Sequence, residues 1–312
     1  MDRKRKAFWL YIGLVYLITW LPWIPVEWYA AQRGYLIPNP LTIPELIANG
    51  FQDNTHLILV LLTIVSIFLP GTVIGAIIAQ NYESGKQGLR GWWKRCTHWR
   101  VGWRWYGIML GLLFVIFLPI FIYGMATGPI PTSGQVLSVL IWIVPMFLYT
   151  FLASGMEEPG WRGYLLPSLQ TRMSAKKASI IVGIIWGIWH WPVFIPIYMN
   201  TLNSVGGVPQ AVITLLVQLI LYTAGSIMSG ALTYTWLYNR TGSAFLCILF
   251  HVLHNNASTF MLILFPNLVG TIPMLGVVMQ WVVAIVLMRF FWVEAREAKS
   301  GQVAVQGSSS TI

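Results

Sequence analysis

Eight stretches of this chain are each long and apolar enough to cross a lipid bilayer, and nothing else constrains the fold so tightly. They run approximately over 8–29, 57–80, 105–126, 135–156, 178–199, 211–238, 243–265 and 268–292. A helix rising about 1.5 Å per residue needs roughly 20 such residues to span the hydrocarbon. No water is present there to satisfy backbone N–H and C=O groups, so spans of this composition fold as helices. Only 9% of the 312 residues are charged and 57% are hydrophobic, whereas soluble domains carry about a quarter charged residues. The chain therefore reads as an all-α, polytopic, integral membrane protein with eight transmembrane helices, a cell-membrane protein if the source is prokaryotic.

The basic residues orient it. Cytoplasmic loops of membrane proteins are enriched in Lys and Arg. Alternating the eight spans puts Arg3–Lys6, the loop from Lys86 to Arg104, the segment from Arg162 to Lys177, Arg240, and the C-terminal Arg289, Arg296 and Lys299 on one side. Of the 19 Lys and Arg residues, Arg33 alone falls on the other. Both termini are accordingly expected in the cytoplasm. The net charge of +10 is explained by this topology, and no nucleic-acid partner is expected. The basic start MDRKRK resembles that of a signal peptide, but the apolar run after it is long and holds Trp20, Trp23 and two prolines, so a retained helix is expected. Residues 1–299 are read as one membrane-embedded domain with its core over 135–265, and the small polar residues of 300–312 as a disordered tail. Two cysteines suggest no disulfide framework, and no P-loop, G-x-G-x-x-G or H-E-x-x-H is present.

Ionisable groups inside spans are costly and face the bundle interior or a water-filled cavity. Here they are few: Glu157, Glu158 and Arg162 at the end of the fourth span, His190 in the fifth, and His251, His254, Asn255 and Asn256 in the seventh. A lone buried histidine is most often a hydrogen-bonded core residue. Three of the five histidines beside the one adjacent carboxylate pair in the spans weaken that reading, since each would need its own partner in hydrocarbon. Spacing adds to this. His251 and Asn255 lie four apart on one helix face, with His254 bordering it, and Glu158 and Arg162 are spaced for a local ion pair that fixes the helix end. Pro192 bends the helix just after His190, and Pro159 breaks the fourth span beside the carboxylates. Glu157 is expected near the inner surface, in a cavity open to the cytoplasm.

Three short motifs stand at these positions: Glu157-Glu158-x-x-x-Arg162, Trp186-x-x-x-His190 and His251-x-x-x-Asn255. In order and helix placement they resemble the E-E-x-x-x-R, F-x-x-x-H and H-x-x-x-N motifs of the CAAX protease and bacteriocin-processing family of intramembrane proteases, the group of the type II CAAX prenyl endopeptidases. Trp186 replaces the family's Phe. The resemblance implies a membrane-embedded endopeptidase acting on a peptide or protein substrate, with prenylated and membrane-bound substrates both open. It implies that Glu157 and His190 activate a water, that His251 and Asn255 donate to the oxyanion, and that Glu158 and Arg162 support them. Glu157, His190 and His251 also form a two-His, one-carboxylate set of the kind that binds catalytic Zn²⁺. The sequence leaves metal-free and zinc mechanisms open, with Asn255 favouring the first. Two further readings use the same residues: a non-catalytic peptide-binding immunity or scaffold protein, and a transporter or proton relay.

Overall fold

A computed structural model describes residues 2–39, 41–204 and 207–294, and every described element is helical. The tail over 300–312, and Arg296 and Lys299 before it, lie outside the described residues. The long helices are α1 (Arg3–Arg33), α2 (Asn54–Cys96), α3 (Trp103–Thr127), α4 (Ser133–Ala153), α5 (Ala175–Trp189), α6 (Val208–Thr241), α7 (Ala244–Leu264) and α8 (Thr271–Phe291). Among the described residues, seven stretches are long and apolar enough to cross a membrane. The bent pair Ala175–Trp189 and Trp191–Ser204, turning by 49°, makes an eighth. The chain is an integral, multi-pass membrane protein.

Several boundaries differ from those the hydropathy suggests. Helix α2 breaks at Gly85 (φ 57°), and a second helical stretch carries Lys86, Arg90, Lys94 and Arg95 to Cys96, with Arg95 returning to donate to Gln80 at 3.4 Å. The fourth span does not end at 156 but continues as irregular helix to Gln170. The cause is packing: the extra residues hold Trp161, Arg162, Leu165 and Leu166, all fully buried.

Ends are closed by local chemistry. Thr132 and Gln135 form a reciprocal capping box at the start of α4, and Ser243 accepts from the Leu246 N–H at the start of α7. Gly34 adopts φ 69° after α1, a left-handed conformation that costs glycine little. The segment after it folds back, so that the Tyr149 hydroxyl donates to the Pro38 carbonyl at 3.0 Å.

Several of the basic segments meet at one end of the bundle. Arg3 donates to the Tyr82 carbonyl at 2.6 Å, Ser243 to the His98 carbonyl at 2.6 Å, and Arg240 to the Phe291 carbonyl at 2.8 Å. These contacts place the start of α1, the α2–α3 connection, the α6–α7 corner and the end of α8 together. Large apolar side chains such as Leu17, Leu61, Phe114, Leu140 and Ile220 are exposed around the bundle, which in a bilayer is the lipid-facing surface.

Candidate active site

Glu157 sits where α4 loses its regularity. The α-helix stops at Ala153, a 3-10 turn covers Gly155–Glu157, and one α-turn and a π-turn carry the chain to Leu165. Pro159 has no N–H for the Gly155 carbonyl, so the Glu158 N–H takes that acceptor instead and tightens the turn. Such irregular turns inside helices are frequent at functional sites. Gly160 then allows a close approach of this turn to α1 and α2. A Cβ there would lie 2.7 Å from both the Tyr11 hydroxyl and the Thr72 Cβ.

The two carboxylates have separate partners. Glu158 is fully buried, and its carboxylate pairs with Arg162 Nη1 at 2.9 Å. The guanidinium lies over the rings of Trp186 and Tyr234, 4.7 and 4.6 Å from their centres. This ion pair matches the four-residue spacing read from the sequence. It also does more than fix a helix end, because Glu158 Oε1 accepts from His251 Nδ1–H at 2.9 Å. Glu157 is turned away from this pair. Its Oε2 accepts the Trp186 indole N–H at 2.6 Å, with the Trp161 indole N–H at 3.4 Å.

His190 is oriented by the helix break. Its backbone N–H bonds to the Gly187 carbonyl rather than to Trp186 four residues back. The freed Trp186 carbonyl accepts from His190 Nδ1–H at 2.9 Å. A carbonyl can only accept, so Nδ1 carries the proton and Nε2 is left with its lone pair. On α7, Asn255 Nδ2–H donates to the Ser154 hydroxyl oxygen at 2.9 Å.

Two cavities meet here. One of about 270 Å³ is lined by Glu157, Trp186, His190, His251, His254 and Asn255, among others. The second, of about 620 Å³, runs along the later half of α1 to the returning segment 35–39. They share Ser154, Glu157 and His190. The structure thus brings Glu157, His190, His251 and Asn255 to one hollow. Glu158 and Arg162 stand behind it. Asn256 is buried but lines neither cavity.

Depth and direction differ from the sequence expectation. Glu157 is not near the basic end. Gly71, next to the Thr72 that binds the Met156 carbonyl, packs against Thr19, and Thr19 is bonded to Trp189 beside His190. Thr19 lies 16 residues along α1 from Arg3, about 24 Å. The larger cavity leads to the opposite end, not to the basic one. The residues from Trp161 to Gln170, whose length the apolar run did not reveal, are the reason.

Sequence reading also missed two groups. Trp186 counted only as an aromatic in place of Phe, although its indole N–H is what separates it from Phe. Ser154 carried no spacing signal at all.

Among the described residues no three His, Cys, Asp or Glu side chains are arranged to hold a metal ion. Glu157, His190 and His251 are not gathered as a zinc site in this arrangement, and no step below passes through one.

Residues 138–257, which hold all three motifs, match the family described as type II CAAX prenyl endopeptidase Rce1-like. A 49-residue segment is 53% identical to CAAX prenyl protease 2 of Methanococcus maripaludis, covering 16% of this chain and 18% of that protein. The chain thus matches less than a fifth of that relative's length. Over the matched helices and the three motifs within them, the chain is similar to the Rce1-like type II CAAX prenyl endopeptidases.

Proposed function

We propose that this protein is an intramembrane endopeptidase that hydrolyses a peptide bond of a membrane-associated polypeptide with a water held between Glu157 and His190. The observation that carries the reading is the smaller cavity, which Glu157 and His190 line together with His251 and Asn255. The Glu157 carboxylate and the lone pair on His190 Nε2 both accept, so a water between them is polarised toward losing a proton. Its oxygen attacks the scissile carbonyl, and the proton is passed to the leaving amine. Asn255 Nδ2–H and the His251 ring are assigned to the oxygen on which charge develops.

Glu158 and Arg162 act as positioning residues. The charge bias supports a cytoplasmic position for both termini. The substrate is a protein, and the relative's name keeps a prenylated one within range.

The test compares newly formed protein termini in membranes containing the wild-type chain and Glu157→Gln. General acid–base groups contribute about 10²–10⁴-fold to rate. Cleavage products are therefore expected to fall by at least that lower factor in Glu157→Gln and in His190→Ala. Unchanged products in both variants would leave a binding protein without proteolysis.

A further inference from the structure

The end of α2 and its connection to α3 carry a charge that the protein itself does not balance. Lys86, Arg90, Lys94, Arg95, Arg100 and Arg104 follow one another there, and no Asp or Glu lies between Glu83 and Glu157. Among the described residues the ion pairs are those of Arg162 and His251 with Glu158, so none of these basic residues pairs with a carboxylate. The helical stretch after Gly85 has two faces. Its inner face is fixed to the turn that carries Glu157. The Trp92 indole N–H donates to the Pro159 carbonyl at 2.9 Å, and Arg95 Nε–H donates to the Gly163 carbonyl at 3.0 Å. Its outer face presents Arg90, Trp93 and Lys94, all exposed. Beyond it Trp99, Arg100, Trp103 and Arg104 are exposed as well, Trp103 to 86%. The Arg100 guanidinium lies over the Trp99 ring, 4.8 Å from its centre, and that of Arg104 lies over the Trp105 ring at 5.6 Å.

Position in the chain says what meets this face. The apolar part of α2 ends before it, and α3, a membrane-crossing helix, starts at Trp103. The stretch therefore lies at the membrane–water boundary, where tryptophans sit at headgroup level. Basic side chains at that level strengthen attachment to anionic lipid by about five-fold each. A guanidinium also matches a phosphate with two parallel N–H donors. We infer that the stretch from Lys86 to Arg104 is a binding site for the headgroups of anionic phospholipids. Lys94, Arg100 and Arg104 take the phosphates, and Trp93, Trp99 and Trp103 seat the stretch at the headgroup boundary. An acidic soluble protein is the poorer match, because it offers these indoles no apolar layer to enter. The bonds to Pro159 and Gly163 hold the face in place before lipid arrives, which lowers the ordering cost of binding. The site goes beyond the proposed endopeptidase function and does not depend on it.

Lipid retention tests the site. The full chain is purified in a neutral detergent and supplied with equal amounts of phosphatidylglycerol and phosphatidylcholine, and the lipids that stay bound are counted by native mass spectrometry. One variant combines Lys94→Gln, Arg100→Gln and Arg104→Gln. A second removes the same charge at the start of α1, by Lys4→Gln, Arg5→Gln and Lys6→Gln. The wild-type chain is expected to retain phosphatidylglycerol over phosphatidylcholine by at least about tenfold, the first variant to lose that preference and the second to keep it. Raising NaCl to about 1 M, where charges are screened beyond about 3 Å, is expected to abolish the preference of the wild-type chain, a reading that needs no variant to fold. Equal preference in the wild-type chain and the first variant would overturn the inference. So would equal losses in the two variants, or a wild-type preference that salt does not move. Displacement of phosphatidylglycerol by an equal concentration of inorganic phosphate would make this a site for a free anion and would overturn the lipid assignment.

Discussion

Arg162 and Glu158 show how much one buried pair holds in place. The guanidinium is fully buried between two aromatic faces, and the carboxylate it neutralises orients His251. Removing one member of a buried pair leaves an uncompensated charge and costs about 3–5 kcal/mol. Arg162→Met is therefore expected to lower the thermal midpoint of the purified protein strongly, and Arg162→Met combined with Glu158→Gln to recover part of the loss. Equal midpoints for the single and double variants would show that the pair is not coupled. The sequence revealed this contact because four-residue spacing on a helix is a local rule. It did not reveal that Glu158 also reaches His251, since the two lie 93 positions apart and only the packed bundle joins them. Trp186 was legible as an aromatic and not as a donor, because its N–H acquires meaning only from the carboxylate opposite it.

The irregular helix from Gly155 to Gln170 positions the site at the level of an element. It places Glu157 and Glu158 on different walls although they are neighbours in sequence, one against Trp186 and the other against Arg162 and His251. Its closeness to α1 and α2 depends on Gly160. The neighbours of an added Cβ include the Thr72 backbone carbonyl at 2.8 Å, which has no rotamer to escape into. Overpacking of this kind typically costs about 1–3 kcal/mol. Gly160→Ala is expected to lower the thermal midpoint and to reduce cleavage together, whereas Gly107→Ala, where nothing lies within 4 Å of an added Cβ, is expected to leave both near wild type. Equal behaviour of the two variants would remove the role given to Gly160. Pro159 and Pro192 announced breaks in the sequence, and both breaks exist. The continuation to Gln170 was not legible, because a window of hydropathy ends at the first cluster of charge even when that charge is buried.

Over the whole molecule, composition and apolar runs were enough to read an all-α bundle of eight membrane segments. The side from which the site opens was not, because it depends on which half of the bundle is filled. Residues 161–169 bury large side chains, while the larger cavity runs along the later half of α1 and the returning segment. A hollow in the middle of a bilayer that holds a carboxylate, two imidazoles and an amide is suited to delivering water to a peptide bond where water is otherwise scarce. The most direct measurement is therefore of the water itself. Membranes containing the wild-type chain or Glu157→Gln are incubated in H₂¹⁸O, and the carboxyl termini of new fragments are read by mass spectrometry. The account predicts one ¹⁸O atom in the new carboxyl groups of the wild-type products and no such fragments with Glu157→Gln. The same labelled fragments in equal amount from both would contradict it.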